Sequence, residues 1–369
     1  MSVTLTQERK EKLRACSTQL LHSKQLTIRD VANVIGMIVA IFPAIKYGAL
    51  HYCHLENDRK FALKAHKGNF DCFIVLSISA KIELQWWIDN IDTATNGTVV
   101  EEPAVTLTSD ASQQGWGYAF HGCRVGEVWP PAETTFQMNY VELKQHFFAL
   151  QCFQEQILKK WVQLLMDNTT AVACINHFSA SHSTACNDLM FTIWECCIAR
   201  EIWLTAAHIP GKENTTADAE SRKINLDAEW QLNMQMLQQV LLQLQVQPSV
   251  DLFASRFHRQ MSRYVSYRPD PLTIAVDAFP MAWKETELYA FPPFSVIPWV
   301  LQKIWQERGS RLLVVPQWPS QMWWPVLLKV LTVPPVVLWA GSDKPLLMLP
   351  SQTGKVHPLQ RQHLKLLVW

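Results

Sequence analysis

Four acidic residues stand in four different settings along the chain: Asp110 in Thr-Ser-Asp-Ala-Ser, Glu142 in Asn-Tyr-Val-Glu-Leu, Asp167 in Leu-Leu-Met-Asp-Asn and Asp218 in Thr-Ala-Asp-Ala-Glu. Hard divalent cations take oxygen ligands, and two of them about 4 Å apart clamp both the attacking and the leaving oxygen of a phosphodiester. Four carboxylates from four elements suffice to hold and neutralise such a pair, so the expectation is a metal-dependent cut in nucleic acid. Each acid also has an ordinary explanation. Glu142 follows Asn139 by three residues, close to the spacing of a capping box. Asp167 could cap the helix after it, Asp110 could open a turn, and Asp218 could be a solvated helix residue.

The elements that must position these acids are legible in the pattern. Short strands over 105–108, 116–120 and 125–129, separated by Gly115, Gly122 and their neighbours, predict a three-strand meander. Tyr140, Leu143, Phe147 and Leu150 then repeat at helical spacing, and the apolar run from Trp161 to Met166 predicts a buried strand. A helix near Asn168, another over 183–200, a strand over 202–207, the turn at Pro210-Gly211 and a last helix from about Asn214 complete the unit. The acids thus fall at the end of a first strand, in the first turn of the following helix, at the end of a fourth strand and on a terminal helix.

On either side the character of the chain differs. Before residue 100 it reads as helical; the apolar stretch from Val31 to Ile45 is shorter than a bilayer span and is interrupted by Asn33 and Pro43, so a buried helix is expected and no membrane association. Glutamine-rich residues 231–247 predict a helical connector. After Pro248, strands over 250–253, 288–291, 312–315 and 336–339 alternate with helical stretches such as 296–306, which reads as a separate α/β domain.

With 369 residues and 49% hydrophobic content, the chain can bury two or three cores, and this excludes a disordered tail. A formal net charge of +1 announces no polyanion partner globally. Local clusters such as Lys10, Lys12 and Arg14, or Lys159 and Lys160, read either as solvated helix faces or as nucleic-acid contacts. The nine cysteines lack Cys-x-x-Cys spacing, and Cys196-Cys197 are adjacent, which points to a reducing intracellular compartment, cytoplasmic or nuclear. The 16 tryptophans read chiefly as core.

The flanking sequences of the acids resemble the ribonuclease H family: Asp-Ala-Ser with Gly-Trp-Gly behind it, Val-Glu-Leu, Met-Asp-Asn-Thr-Thr-Ala-Val, and His-Ile-Pro-Gly-Lys-Glu-Asn-Thr-Thr-Ala-Asp-Ala-Glu-Ser-Arg. The chain as a whole resembles the corresponding part of DIRS-type retrotransposon polyproteins, in which reverse transcriptase is followed by ribonuclease H and a methyltransferase-like region. The fold class implied is α/β: a ribonuclease H-like mixed five-stranded sheet with helices, preceded by a helical thumb or connection segment and followed by a second α/β domain. The division expected is 1–100, 101–225, a connector over 226–246, and 247–369. No Tyr-x-Asp-Asp motif or adjacent Asp pair occurs, so no polymerase site is expected in this chain, which would be a truncated copy or a cut-down reading frame.

The resemblance implies that Asp110, Glu142, Asp167 and Asp218 are both catalytic residues and metal ligands, for two Mg²⁺ (or Mn²⁺) ions. The activity implied is endonucleolytic hydrolysis of the RNA strand of RNA–DNA hybrids, leaving 5′-phosphate and 3′-hydroxyl ends. Its partners would be a hybrid or other nucleic acid and a separate reverse transcriptase chain. Contacts to 2′-hydroxyls are expected from the chain around Ser112, Gln113 and Asn168. His208, ten positions before Asp218, stands where the family's last strand ends and is not assigned a proton-shuttle role. In Asn176-His177-Phe178-Ser179-Ala180 the glycine pair of related elements is missing, which predicts a remodelled loop. The alternative reading is a catalytically silent nucleic-acid-binding or interaction protein derived from a retrotransposon. Strand transfer on the same fold fits less well, because those enzymes lack an acid at the position of Glu142.

Asp251-Leu252-Phe253-Ala254-Ser255, Asp277-Ala278-Phe279 and Tyr289-Ala290-Phe291-Pro292-Pro293-Phe294 resemble adenine-N6 methyltransferases. In that family an Asp or Asn before Pro-Pro-aromatic accepts a hydrogen from the exocyclic amine. Phe291 occupies this place and can accept no such bond, and a glycine-rich cofactor loop is missing around Asp251 to Arg259, so a degenerate structural or binding remnant that no longer methylates is expected.

Overall fold

The computed structural model describes residues 2–23, 25–93, 95–97, 102–111, 115–120, 123–129, 133, 135–179, 183–212, 230–283, 287–307, 311–331, 333–340, 345–350, 355 and 357–369. Contacts divide the chain into two units, the first comprising Met1–Asp110, Phe136–Gln145 and Ile157–Thr215, the second Ala111–Thr135, His146–Gln156 and Thr216–Trp369. It is a mixed α/β architecture with two principal sheets.

The first unit opens with helices α1 (Gln7–His22), α2 (Ile28–Ala40), α3 (Cys53–Ala65) and α4 (Ile78–Asn90). Helix α2 begins at a capping box: the Thr27 hydroxyl accepts from Asp30 N–H while the Asp30 carboxylate accepts from Thr27 N–H. Ile28, Val31, Val34, Ile35 and Ile38 give it one buried stripe, and a 3₁₀ turn over Phe42–Ala44, containing Pro43, follows it. The buried helix expected here therefore starts three residues earlier and stops at Ala40. No helix among the described residues is long and apolar enough to cross a membrane. Trp87 of α4 is 1% exposed and donates Nε1–H to the His51 carbonyl at 2.6 Å. Gly48 is required beside it, since a Cβ there would lie 2.7 Å from the indole.

Glu83 of α4 is buried and does three things at once. Its Oε1 accepts from His54 N–H at 3.0 Å, its Oε2 accepts from Leu55 N–H at 2.9 Å, and Oε1 also lies 2.8 Å from His54 Nδ1. Two orphan donors of the first turn of α3 are thus capped by a carboxylate from another helix, and that charge also sits at the positive end of the α3 dipole. His54 Nε2 reaches Asp188 at 3.1 Å. The hydrogen bond to Glu83, opposed by partial burial and reinforced by both carboxylate charges, raises the His54 pKa from 6.5 to about 9. A raised histidine pKa contributes stability fully present below its unfolded value and lost as pH rises through the folded one. The thermal midpoint is expected to fall between about pH 6.5 and pH 9, and a His54→Gln variant to flatten that slope; an unchanged slope would exclude His54 as its source.

Next along the chain come β1 (Val105–Ala111), then β2 (Gly115–Phe120) and β3 (Cys123–Val128), which the contacts group with the second unit, helix α5 (Met138–Cys152), divided between the two, and β4 (Trp161–Met166), α6 (Thr169–His177), α7 (Thr184–Ala199) and β5 (Trp203–His208) of the first. The sheet is mixed and five-stranded, in the order β3-β2-β1-β4-β5. β4 is parallel to β1 and to β5, whereas β2 and β3 form an antiparallel hairpin. Val162, Leu164 and Met166 alternate inward along β4, as a half-covered strand requires. The eight cysteines whose side chains are described are all free.

The second unit contains α8 (Met234–Leu244), β6 (Val250–Asp251), β7 (Arg263–Ser266), β8 (Ala275–Val276), β9 (Leu288–Ala290), α9 (Ile297–Glu307), β10 (Arg311–Pro316), α10 (Trp324–Val330), β11 (Val336–Trp339) and β12 (Lys365–Val368). Its seven-stranded sheet runs β8-β7-β6-β9-β10-β12-β11. The first five strands of this order are parallel, wound outward in both directions from β6, and β12 lies antiparallel between β10 and β11. Parallel strands need both faces covered, and this is why β9 and β10 read as unbroken apolar runs. The glutamine-rich segment read as a connector does more than span a gap. Leu237 and Val240 of α8 are buried against Leu312, Val314 and Leu366, and Gln231–Leu232 pairs with Leu347–Met348.

Candidate functional site

β1 and β4 run in parallel register from Val105↔Val162 to Thr108↔Leu165. Continued two residues past the last paired positions, this register sets Asp110 of β1 opposite Asp167, the first residue beyond β4. Asp110 belongs to strand β1 itself, so the turn-opening role is not what the backbone shows; its side chain lies outside the described residues. Asp167 is the first residue beyond β4 and is exposed.

The residue that caps α6 is Asn168, not Asp167. Asn168 Oδ1 accepts from Ala171 N–H at 2.9 Å, which leaves the preceding carboxylate free of the capping role that its position allowed. The other end of the same amide donates to Asn139 Oδ1 at 3.2 Å. Both ends of the Asn168 amide are therefore engaged in positioning. Ser112 and Gln113 lie outside the described residues.

That amide pair ties the end of β4 to the first turn of α5. Asn139 is the second residue of α5, so it does not cap the helix, and Glu142 follows it by three positions on the same helical face. Glu142 is 4% exposed, and its Oε2 accepts from Gln145 Nε2 at 2.5 Å. A buried carboxylate with a donor from its own helix is held in one rotamer, which suits a ligand and costs desolvation unless further partners neutralise it. Asp110 and Asp167 thus stand at the ends of neighbouring central strands, and the Asn139–Asn168 bond ties the start of α5, the helix that carries Glu142, to the end of β4. Asp218 lies outside the described residues. Among the described residues no group of three His, Cys, Asp or Glu side chains stands close enough to hold a metal ion.

Gly211 was not singled out in the sequence beyond its turn. A Cβ built there would lie 3.1 Å from Asp167 Oδ2, so the backbone after β5 closes directly on this carboxylate. His208 ends β5, pairs in register with Met166 and is exposed, and Ile209 N–H donates to the Met166 carbonyl at 2.9 Å.

Helix α6 ends without the missing glycines. Phe178 takes the left-handed conformation at φ 62°, and its N–H and that of Ser179 close on the Cys174 carbonyl. The strain of a phenylalanine there, about 1–2 kcal/mol, is offset by ring contacts with Trp194 at 4.5 Å and Trp203 at 5.9 Å. Through Ser179 the segment expected to be a remodelled loop is this aromatic cap; Ala180 lies outside the described residues.

In the second unit Asp251 ends β6 at the point where the strand order reverses. Its Oδ1 accepts from Phe253 N–H at 3.3 Å and its Oδ2 from Gln260 N–H at 2.9 Å. Burial, opposed by those bonds, pushes its carboxyl up to about 6. Phe291 and Phe294 follow β9, and Phe294 stands edge-on to Trp318 at 5.1 Å.

No family model matches the sequence, and no curated protein matches it. Among solved structures, ribonuclease H1 from the halophilic archaeon Halobacterium salinarum NRC-1 is similar at 15% identity and a TM-score of 0.27, over 31% of this chain and 92% of that one. The foamy viral protease-reverse transcriptase in complex with RNA/DNA hybrid is similar at 12% identity and a TM-score of 0.22, over 55% of this chain and 27% of that one. The same viral protein in complex with dsDNA gives 14% identity, a TM-score of 0.22, and coverage of 56% and 42%.

Proposed function

We propose that residues 101–225 form a ribonuclease H-like nuclease that hydrolyses the RNA strand of RNA–DNA hybrids, with Asp110, Glu142, Asp167 and Asp218 as its metal-binding acids. The observation that carries this reading is the parallel register of β1 on β4, which continued two residues sets Asp110 opposite Asp167, together with the Asn139–Asn168 bond that ties the start of the helix bearing Glu142 to the end of β4. Carboxylate oxygens from separate elements are the donor set that Mg²⁺ or Mn²⁺ takes, so the residues fit the ion. Bound there, the ions supply charge neutralisation at the attacking and leaving oxygens of the phosphodiester.

The chain's own residues do the positioning. Asn168 fixes where α6 departs, so that Asp167 stays at the strand end and exposed to substrate. Gln145 orients Glu142, and Gly211 leaves room for the Asp167 carboxylate. The test is a Mg²⁺-dependent assay on a hybrid labelled in the RNA strand, with Asp110→Asn as control; equal cutting by both proteins would assign the activity to a contaminant.

Gly211→Val is expected to lower that cleavage by up to about 100-fold, because the added side chain must displace Asp167 by a few tenths of an ångström or more. Thermal melting and cleavage are to be measured together. A variant that melts like wild type and cuts at the same rate would show that the position of Asp167 does not matter.

Residues 247–369 belong, in the same proposal, to a methyltransferase-like domain without methyl transfer. The Asp251 carboxylate is taken up by the chain's own N–H groups, and Phe291 cannot accept a hydrogen from an amine. These residues do not fit the methyl-donor chemistry, and no step is assigned to it. The helices of residues 1–100 are read as a thumb or connection segment and 226–246 as the link between domains.

A further inference from the structure

In the second unit, beyond the C-terminal end of β10, the chain forms a cavity of about 330 Å³ lined by Gln317, Trp318, Leu359, His363, Leu364 and Lys365. Its walls are fixed by backbone. Gln317 N–H donates to the Lys365 carbonyl at 2.9 Å, continuing the antiparallel ladder of β10 and β12, and Trp318 N–H closes a turn on the Pro316 carbonyl at 3.0 Å. A 3₁₀ turn over Pro358–Gln362 carries Leu359, capped by His357 Nδ1, and His363 leaves it in the left-handed region at φ 58°. A non-glycine residue held there marks a conformation that its surroundings over-determine.

The lining divides by chemistry. Trp318, half-buried and braced edge-on by Phe294, joins Leu359 and Leu364 as an apolar wall. Gln317, His363 and Lys365 are exposed and polar, and among the described residues no acid lines the cavity, so its charge favours an anion. An aromatic face beside cationic and amide groups is the combination that takes a planar base on one side and a phosphate on the other. The size falls within the range of small-ligand clefts.

The geometry points to a nucleotide-binding site here: the base on Trp318, the phosphate at Lys365 and His363, the Gln317 amide at the base edge. The nucleotide is either free or part of a single strand. This does not rest on the nuclease reading, and the two can fail separately.

The experiment is calorimetric titration of the full chain in EDTA, so that divalent ions play no part, with AMP, with an oligothymidylate of eight nucleotides and with inorganic phosphate. AMP or the oligonucleotide is expected to saturate one site, at least about tenfold more tightly than phosphate, which lacks a base to stack. Lys365→Glu and Trp318→Leu are each expected to weaken that binding about tenfold or more, with Lys365→Glu leaving the melting temperature unchanged. Equal affinity for AMP and oligonucleotide identifies a free nucleotide; a tighter oligonucleotide identifies a strand. Absence of saturable binding of either, binding indifferent to Lys365→Glu, or phosphate binding as tight as AMP would overturn the proposal.

Discussion

Asp167→Asn is expected to reduce cleavage of the RNA strand of a hybrid by more than about 100-fold while the protein melts as wild type does. Loss of an outer-shell partner of a metal ligand already costs about 10- to 100-fold, and the loss of a ligand's charge exceeds that. The fold should tolerate the change because Asp167 is exposed and the adjacent helix is capped by Asn168. Gel analysis of labelled hybrid gives the rate, and calorimetry the melting temperature. Cleavage within threefold of wild type would remove Asp167 from the site. A large loss of stability would instead assign it to the fold.

The second large effect concerns stability. Glu83→Ala is expected to destabilise the protein by about 3–5 kcal/mol, the range for removing one partner of a buried charged pair. The change leaves the N–H groups of His54 and Leu55 without their acceptor at the start of α3 and leaves a histidine whose remaining carboxylate, Asp188, is largely exposed. Glu83→Gln keeps an acceptor and should cost less. Denaturant unfolding of both variants measures the difference; a loss below about 1 kcal/mol for Glu83→Ala would mean that water replaces the carboxylate at no cost. The same variant should also flatten the alkaline limb of the stability profile, since His54 loses its principal partner.

How far these features can be read from the sequence depends on whether their cause is local. β4 was legible to the residue because Trp161 to Met166 is a bounded apolar run, and α6 because Asn168 is a capping residue before a helix-forming stretch. β7 and β12 were not. Arg-Tyr-Val-Ser and Lys-Leu-Leu-Val are short, and what makes them strands is pairing with β6 and with β10 and β11.

The same division holds at the site. The types and order of the acids were legible, and so was the placing of Asp110 at the end of a first strand and of Asp167 at the end of a fourth; that these strands are neighbours follows from their pairing. The three-residue interval from Asn139 to Glu142 resembles a capping box whether or not the helix starts there; the helix starts at Met138, and Asn139 bonds across to Asn168. Glu83 and Gly211 act through partners 28 and 44 positions away. No local pattern carries such pairings. For Glu83 the one available signal was an acid on the apolar side of an amphipathic helix.

The most direct measurement is incubation of wild-type protein with a hybrid labelled in its RNA strand, in Mg²⁺, with single-stranded RNA as comparison. The proposed site predicts endonucleolytic cuts in the hybrid alone, leaving 5′-phosphate and 3′-hydroxyl ends, abolished by EDTA and by Asp110→Asn. Intact RNA in both Mg²⁺ and Mn²⁺, under conditions where the protein demonstrably binds the hybrid, would contradict it.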